Sequence, residues 1–143
     1  GSHGNNFLKT MLRFIKEKDS LNIVSDQWGS PASASMLADV TFKIVDTIFR
    51  NKNFNDYGTY HVTSDGETNW FEYTSLIVRE LVKLNVKVKC VPDKIRPILT
   101  SEYPTAAKRP LNSRLNCDKL KKTFMLKLPY WESEVKKVLR ELI

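Results

Sequence analysis

The prolines most constrain the fold of this chain, because four of the six lie between residues 92 and 114. Proline lacks a backbone N–H and fixes φ, so a continuous helix cannot run through this stretch. Each proline also pushes the residue before it into an extended conformation. We therefore predict a long loop over residues 92–114, and a loop of this length is more often functional than a mere connection.

The second half of this loop is rich in cationic and hydrogen-bonding side chains. Residues 100–115 read TSEYPTAAKRPLNSRL, and the polar residues that follow Pro104 include Lys108, Arg109, Asn112, Ser113 and Arg114. An ordered loop that presents fixed donors is a common place to hold an anionic ligand. The alternative is a solvated linker whose charges have no role, and the loop by itself does not decide between the two.

Composition places the chain among ordinary folded proteins. Its 143 residues suit one domain or a piece of a larger protein, with 41% hydrophobic and 27% charged residues. No apolar run approaches the roughly 18 residues of a membrane span, so no membrane partner is expected. The net charge of +7 suggests nucleic-acid binding, but the lysines are spread along predicted helix faces without a nucleic-acid motif. We therefore expect a solvated basic surface and no nucleic-acid partner.

The cysteines and histidines do not form a metal-binding pattern. Cys90 and Cys117 lack the spacing of a zinc site, and His3 and His61 are too few and too separate for a metal cluster. We expect two free thiols in a reducing compartment, the cytoplasm. Residues 1–3 are interpreted as the remnant of an expression tag, although His3 could be native.

The spacing of apolar residues predicts four or five helices with short strands, an α+β fold. Helices are expected at residues 6–18, from Ser33 or Ser35 to about residue 50, after an Asn69 cap with Glu72 in the capping-box position, and from Asn116 or Asp118. A last helix has an apolar face that begins with Trp131. Strands are expected at residues 21–25, 59–63 and 86–90. The second helix is apolar on more than one side, so it should need two neighbours.

Four further blocks of sequence accompany the 100–115 loop: GNNFLKTML at residues 4–12, DQWGSP at 26–31, GTYHV followed by GETNWFE within 58–72, and LKLPYW at 126–131. Together and in this order, the five blocks resemble those of the dTDP-4-dehydrorhamnose reductases, a family of extended short-chain reductases. They cover nearly the whole chain, so the chain resembles this family far more specifically than any single motif would indicate. One departure is Ala32, which stands where the family usually has threonine.

The resemblance implies that residues 4–143 are the C-terminal, substrate-binding part of such a reductase, whose Rossmann half is absent. This chain has five glycines and no G-x-x-G-x-x-G or G-x-G-x-x-G cluster for a cofactor pyrophosphate. No tyrosine has the lysine of the family's Tyr-x-x-x-Lys pair four residues later. We therefore expect this chain alone to have no catalytic residue, to bind no cofactor and to transfer no hydride.

In the intact enzyme, the resemblance implies that NADPH or NADH reduces the C4 keto group of dTDP-4-dehydro-L-rhamnose. The role left to this chain would be to hold the dTDP end of the sugar nucleotide. In some family members, C-terminal acidic residues also bind magnesium at a dimer interface.

Six residues are the predicted substrate-binding set: Asn6, Gln27, Gly29, Pro31, Arg109 and Asn112. Arg109 is expected to grip two phosphate oxygens, because a guanidinium forms paired hydrogen bonds. Its alternative is an ion pair with Asp93 or Glu102. Gln27 and the backbone near Gly29 and Pro31 are assigned to the thymine edge or the deoxyribose.

The two asparagines of this set have open alternatives. Asn112 could contact a sugar hydroxyl or phosphate, or brace its own loop. Asn6 lies at a helix start, where N–H groups attract anions, but it could equally be only a cap. Trp28 could stack on the ligand or anchor its loop, and Trp70 and Trp131 are assigned to packing.

Two other functions stay open at this point. The chain could belong to a reductase or epimerase acting on another nucleotide-sugar, or it could be a non-catalytic interaction module. A separate prediction follows if the Rossmann half is absent. The second helix and the 59–63 strand would then lose their neighbours, and we expect their apolar surface to be covered by a homodimer or other self-association.

Overall fold

The structure, a computed structural model, describes residues 4–105 and 107–143. Within these ranges the α-helices are α1 (Phe7–Glu17), α2 (Ala34–Arg50), α3 (Trp70–Lys83), α4 (Asp118–Thr123) and α5 (Trp131–Arg140). The strands are β1 (Leu21–Val24), β2 (Trp28–Gly29), β3 (Thr68–Asn69) and β4 (Ile95–Ile98). The predicted α+β class is confirmed. The tag interpretation falls on residues 1–3, outside the described residues, and stays a prediction.

Polar caps begin the first three helices, as their sequences predict. The side-chain oxygens of Asn6, Ser33 and Asn69 each accept the N–H three residues further on, at 2.8 to 3.0 Å. The expected capping box at α3 is only half formed, because the Glu72 carboxylate accepts a hydrogen bond from the Thr68 hydroxyl at 3.2 Å. None of the helices in the described ranges is long and apolar enough to cross a membrane.

Two small sheets connect the helices. Strands β1 and β4 are parallel, with Leu21 opposite Ile95, and β2 and β3 are antiparallel, with Trp28 opposite Asn69. The prediction of an unbroken loop over residues 92–114 is wrong, because β4 and two 3₁₀ turns lie within it. Pro97 is accommodated because each strand of a two-stranded sheet has a free edge, where a missing N–H costs little.

The predicted strand at residues 86–90 is also wrong. This segment bonds to the end of a helix instead, since the N–H groups of Lys89 and Cys90 both donate to the Ile15 carbonyl at 3.0 Å. The segment is irregular, but one of its sides packs against the core and the other faces solvent. Apolar and charged side chains therefore alternate in it with the same period of two residues as in a strand.

Residues 59–63 do not form the predicted strand either. Tyr60 and Val62 pack against an apolar cluster, but in the described part of the chain no strand pairs with this segment. A strand requires hydrogen bonds to a neighbour, so local β propensity is not sufficient here.

Apolar side chains form two cores. The larger lies between α1, α3, α5 and the β1–β4 sheet, and its fully buried members include Ile15, Ile77, Leu81 and Leu139. The smaller joins the inner face of α2 to α4 through Met36, Val40, Leu120 and Phe124. The outer face of α2 is uncovered in this structure, with Phe42 72% and Phe49 82% exposed.

Candidate functional site

A cavity of about 280 Å³ lies between β2, β3, the start of α3 and the 100–115 loop. Its volume is near the lower end of the roughly 300–1,000 Å³ of small-molecule sites. Four of the six predicted residues line it: Gln27, Gly29, Pro31 and Arg109. The structure therefore brings the Arg109 segment and the segment after β1 to one concave surface, although they are far apart in sequence.

Backbone hydrogen bonds join the loop to β2. The Trp28 N–H donates to the Leu111 carbonyl at 2.8 Å, and the Ser113 N–H and hydroxyl both donate to the Trp28 carbonyl at 2.9 Å. A Cβ at Gly29 would lie 2.8 Å from the Ser113 Oγ. Glycine thus allows the loop to approach β2 closely enough to close this side of the cavity.

Arg109 lies at the cavity with an exposed side chain. Within the described residues it makes neither an ion pair nor a hydrogen bond, so the alternative pairing with Asp93 or Glu102 is not formed. Glu102 instead accepts the Leu99 N–H at 2.8 Å. The N–H donors of the Arg109 guanidinium are therefore not used by the described part of the protein and are available to a ligand.

Gln27 uses both ends of its amide inside the protein. Its Oε1 accepts the Trp70 indole N–H at 3.1 Å, and its Nε2 donates to the Thr100 hydroxyl at 3.1 Å. The Thr100 hydroxyl and backbone N–H in turn donate to Asp26 Oδ1 at 2.6 and 2.9 Å. The amide is therefore committed to neighbouring side chains, which leaves it little capacity to recognise a thymine edge.

Asn112 lies beside β2 but does not line the cavity. Its Oδ1 accepts the backbone N–H of Arg114 at 3.1 Å and the Arg114 Nε–H at 2.9 Å. Arg114 also pairs with Glu67 at 2.7 Å. Of the two open readings, bracing of the loop is the one that the contacts support, and contact with a ligand stays a prediction.

Asn6 lines a neighbouring cleft, which shares Pro31, Trp70 and Tyr73 with the main cavity. Its Oδ1 caps α1 by accepting the Lys9 N–H at 3.0 Å. Asn6 and Arg109 therefore face adjoining concavities, and a ligand that touched both would have to pass along the wall between them.

Two aromatic residues of α3 line the cavity without having been predicted there. Trp70, which the sequence assigned to packing, is only partly buried, and Tyr73 is buried next to it. Burial raises the pKa of Tyr73 to about 12, so its phenol stays neutral at ordinary pH. The signal that could have identified them is their position at the start of a capped helix that follows the short strand β3.

The cavity is thus a partly apolar space with aromatic walls, and at its rim lies the Arg109 guanidinium, which has no partner among the residues that the structure describes. Such a surface suits a ligand that combines a flat ring with an anionic group. In the described ranges, no group of three or more His, Cys, Asp or Glu side chains is placed to hold a metal ion.

Comparison with known proteins gives the family of this chain. The sequence model of the RmlD substrate binding domain matches residues 1–143. The chain belongs to the RmlD substrate-binding domain family. It is 40% identical to the dTDP-4-dehydrorhamnose reductase of Escherichia coli K12 over 139 residues, which are 97% of this chain and 45% of that enzyme.

Two further relatives extend the RmlD comparison. The crystal structure of the Bacillus anthracis dTDP-4-dehydrorhamnose reductase in complex with NADP superposes with a TM-score of 0.79 and 34% identity, over 97% of this chain and 44% of that one. The spore coat polysaccharide biosynthesis protein SpsK of Bacillus subtilis is 31% identical over 116 residues, 81% of this chain and 35% of SpsK. The chain spans less than half the length of these relatives, and the domain match confirms the family that its sequence motifs predicted.

Proposed function

We propose that this domain holds the dTDP-sugar substrate of a dTDP-4-dehydrorhamnose reductase. The observation that carries the proposal is the cavity: in a chain that matches the RmlD substrate-binding domain throughout, it combines aromatic walls with the unpaired guanidinium of Arg109. The diphosphate would lie at Arg109, since guanidinium groups bind pairs of phosphate oxygens. The flat base would lie deeper, against the aromatic side chains.

The rest of the reaction belongs to a cofactor-binding half. When bound there, NADPH or NADH supplies the hydride that reduces the C4 keto group of dTDP-4-dehydro-L-rhamnose to give dTDP-L-rhamnose. This chain would orient the substrate so that the keto group faces that half, which is the contribution of positioning to catalysis. Its own sequence contains neither the glycine cluster nor the Tyr-x-x-x-Lys pair, so we expect the isolated chain not to oxidise NADPH.

The outer face of α2 is the surface that we assign to contact with the cofactor-binding half of the full-length enzyme. Phe42, Val45 and Phe49 recur at helical spacing and are 44% to 82% exposed, and exposed apolar surface of this kind marks an interface. The neighbouring residues 59–63 have no strand partner in the described ranges. Without that half, we expect copies of the chain to associate through this face.

We also propose that the protein works in the cytoplasm. Cys90 and Cys117 are both buried and free, and a reducing compartment keeps such thiols free.

The direct test is calorimetry with dTDP. Titration with dUDP, which lacks only the thymine methyl group, and with GDP or UDP would measure base selectivity. Binding of dTDP in preference to the others supports the proposal. Equal or stronger binding of another nucleotide favours a different nucleotide-sugar enzyme, and no heat at millimolar dTDP favours an interaction module that uses the α2 face.

A further inference from the structure

We propose that Gln27 is a positioning residue of the cavity, which fixes the indole of Trp70 as the wall against which the nucleobase stacks. By the same contacts it holds the beginning of the 100–115 loop, and so Arg109, next to that wall. The identity of the ligand rests on the proposed function, whereas the positioning itself is a property of the empty protein.

The hydrogen bonds around Gln27 run in one direction. An indole can only donate, so the 3.1 Å contact from Trp70 Nε1 requires the Gln27 oxygen to face it. The amide nitrogen must then face Thr100, to whose hydroxyl oxygen it donates at 3.1 Å. The same hydroxyl donates a hydrogen bond to Asp26 Oδ1 at 2.6 Å. Each donor in such a chain polarises the next, which strengthens the whole set.

The indole of Trp70 is held on two sides. Its N–H edge is tied to Gln27, and its ring lies 4.5 Å from the ring of Phe7 at an interplanar angle of 45°. Yet Trp70 is only partly buried and lines the cavity. A fixed, accessible aromatic surface loses little conformational entropy when a base stacks on it, whereas a mobile one would have to be ordered at the same time.

At the other end of this series of hydrogen bonds, Thr100 and Asp26 hold the loop. Thr100 begins the 3₁₀ turn Thr100–Glu102, and Asp26 accepts both its N–H and its hydroxyl. Just before this turn, the Ser25 N–H donates to the Ile98 carbonyl at 3.0 Å, at the end of the β1–β4 pair. Gln27 therefore connects the aromatic wall to the point where the 100–115 loop leaves the sheet.

The side-chain N–H signals of the tryptophans in a ¹H–¹⁵N NMR spectrum test the positioning without any ligand. In Gln27→Met, which keeps the size of the side chain but neither hydrogen bond, the Trp70 signal should move and exchange faster with water. Gln27→Glu retains an acceptor and should restore slow exchange. Trp131, in the larger core, is the internal control and should not change.

Titration with dTDP then tests the consequence. In the wild-type chain the Trp70 signal should shift on binding, and Gln27→Met should bind about tenfold more weakly, as the loss of one or two net hydrogen bonds implies. An unchanged Trp70 signal in Gln27→Met would overturn the proposal, even if affinity fell, because Gln27 would then contact the ligand directly. A shifted Trp70 signal in Gln27→Met with unchanged affinity for dTDP would also overturn the proposal.

Two arms keep this test separate from the proposed function. If the wild-type chain does not bind dTDP, the proposed function fails and the stacking role falls with it, but the ligand-free comparison still decides whether Gln27 holds Trp70. If Gln27→Met also alters the Trp131 signal, the substitution perturbs the fold, and Thr100→Val is used in place of Gln27→Met. Thr100→Val removes the hydroxyl that links Gln27 to Asp26 and leaves the Trp70 contact in place. It should weaken dTDP binding, and unchanged binding would contradict the proposal.

Discussion

Replacement of Arg109 by alanine should weaken dTDP binding by roughly 10- to 30-fold. The side chain has no partner within the described residues, so its removal leaves no group of the protein unsatisfied, and the loss reports the ligand contact alone. A hydrogen bond to a charged group contributes about 1.5–3 kcal/mol. Because Arg109 is exposed and water screens its charge, the lower part of that range, about 1.5–2 kcal/mol, is appropriate, and every 1.4 kcal/mol is about tenfold in affinity.

The matched control is Lys108→Ala. Lys108 is the adjacent exposed cation and does not line the cavity, so both variants lower the net charge equally and change long-range attraction to the same extent. Calorimetry at fixed ionic strength should therefore show a large loss for Arg109→Ala and a change of less than about threefold for Lys108→Ala, as expected for a screened rim charge. Arg109→Lys should fall between the wild type and Arg109→Ala, since a lysine keeps the charge but not the paired donors.

Equal losses in the two alanine variants would refute the reasoning, because dTDP would then sense only the net charge of the loop. If Arg109→Lys bound dTDP as tightly as the wild type, the paired hydrogen bonds from the guanidinium would be refuted. A positive charge at this position would still be required. Denaturant unfolding of all three variants should match the wild type, since neither Arg109 nor Lys108 has a hydrogen bond or an ion pair within the described residues.

Other predictions concern the interface, the folding of α3 and the cavity wall. Light scattering should show that the wild-type chain self-associates and that Phe42→Ser with Phe49→Ser is monomeric; a compact wild-type monomer at high concentration would contradict the proposed interface. Asn69→Ala should lower the free energy of unfolding by about 1 kcal/mol in a denaturant titration, while Asn69→Asp, which can still cap, should retain most of it. Because burial raises the pKa of Tyr73 to about 12, the unfolded chain ionises first, and stability should be lost as pH rises from about 10 to about 12. Tyr73→Phe should remove up to about 2.7 kcal/mol of that loss, and an identical pH dependence in both proteins would contradict the assignment.

The helices and their starting points were determined by the sequence itself. Asn6, Ser33 and Asn69 each precede an apolar pattern of helical period, and each caps its helix in the structure. Capping and amphipathic periodicity act between residues three or four positions apart, so a local reading is sufficient. The five sequence blocks likewise predicted the family before any contact was known, because they are read from the order of residues alone.

Strand pairing and the composition of the cavity were decided only by the tertiary structure. Residues 59–63 and 86–90 have local β character but no strand partner in the described ranges, whereas Ile95–Ile98 pairs with β1 in spite of its proline. Likewise, Gln27 is joined to Trp70 and Thr100, which lie 43 and 73 residues further along the chain. A strand, or a side chain that contacts a ligand, is defined by which distant segment lies beside it, and the packing of α3 and the β1–β4 sheet determines that neighbour.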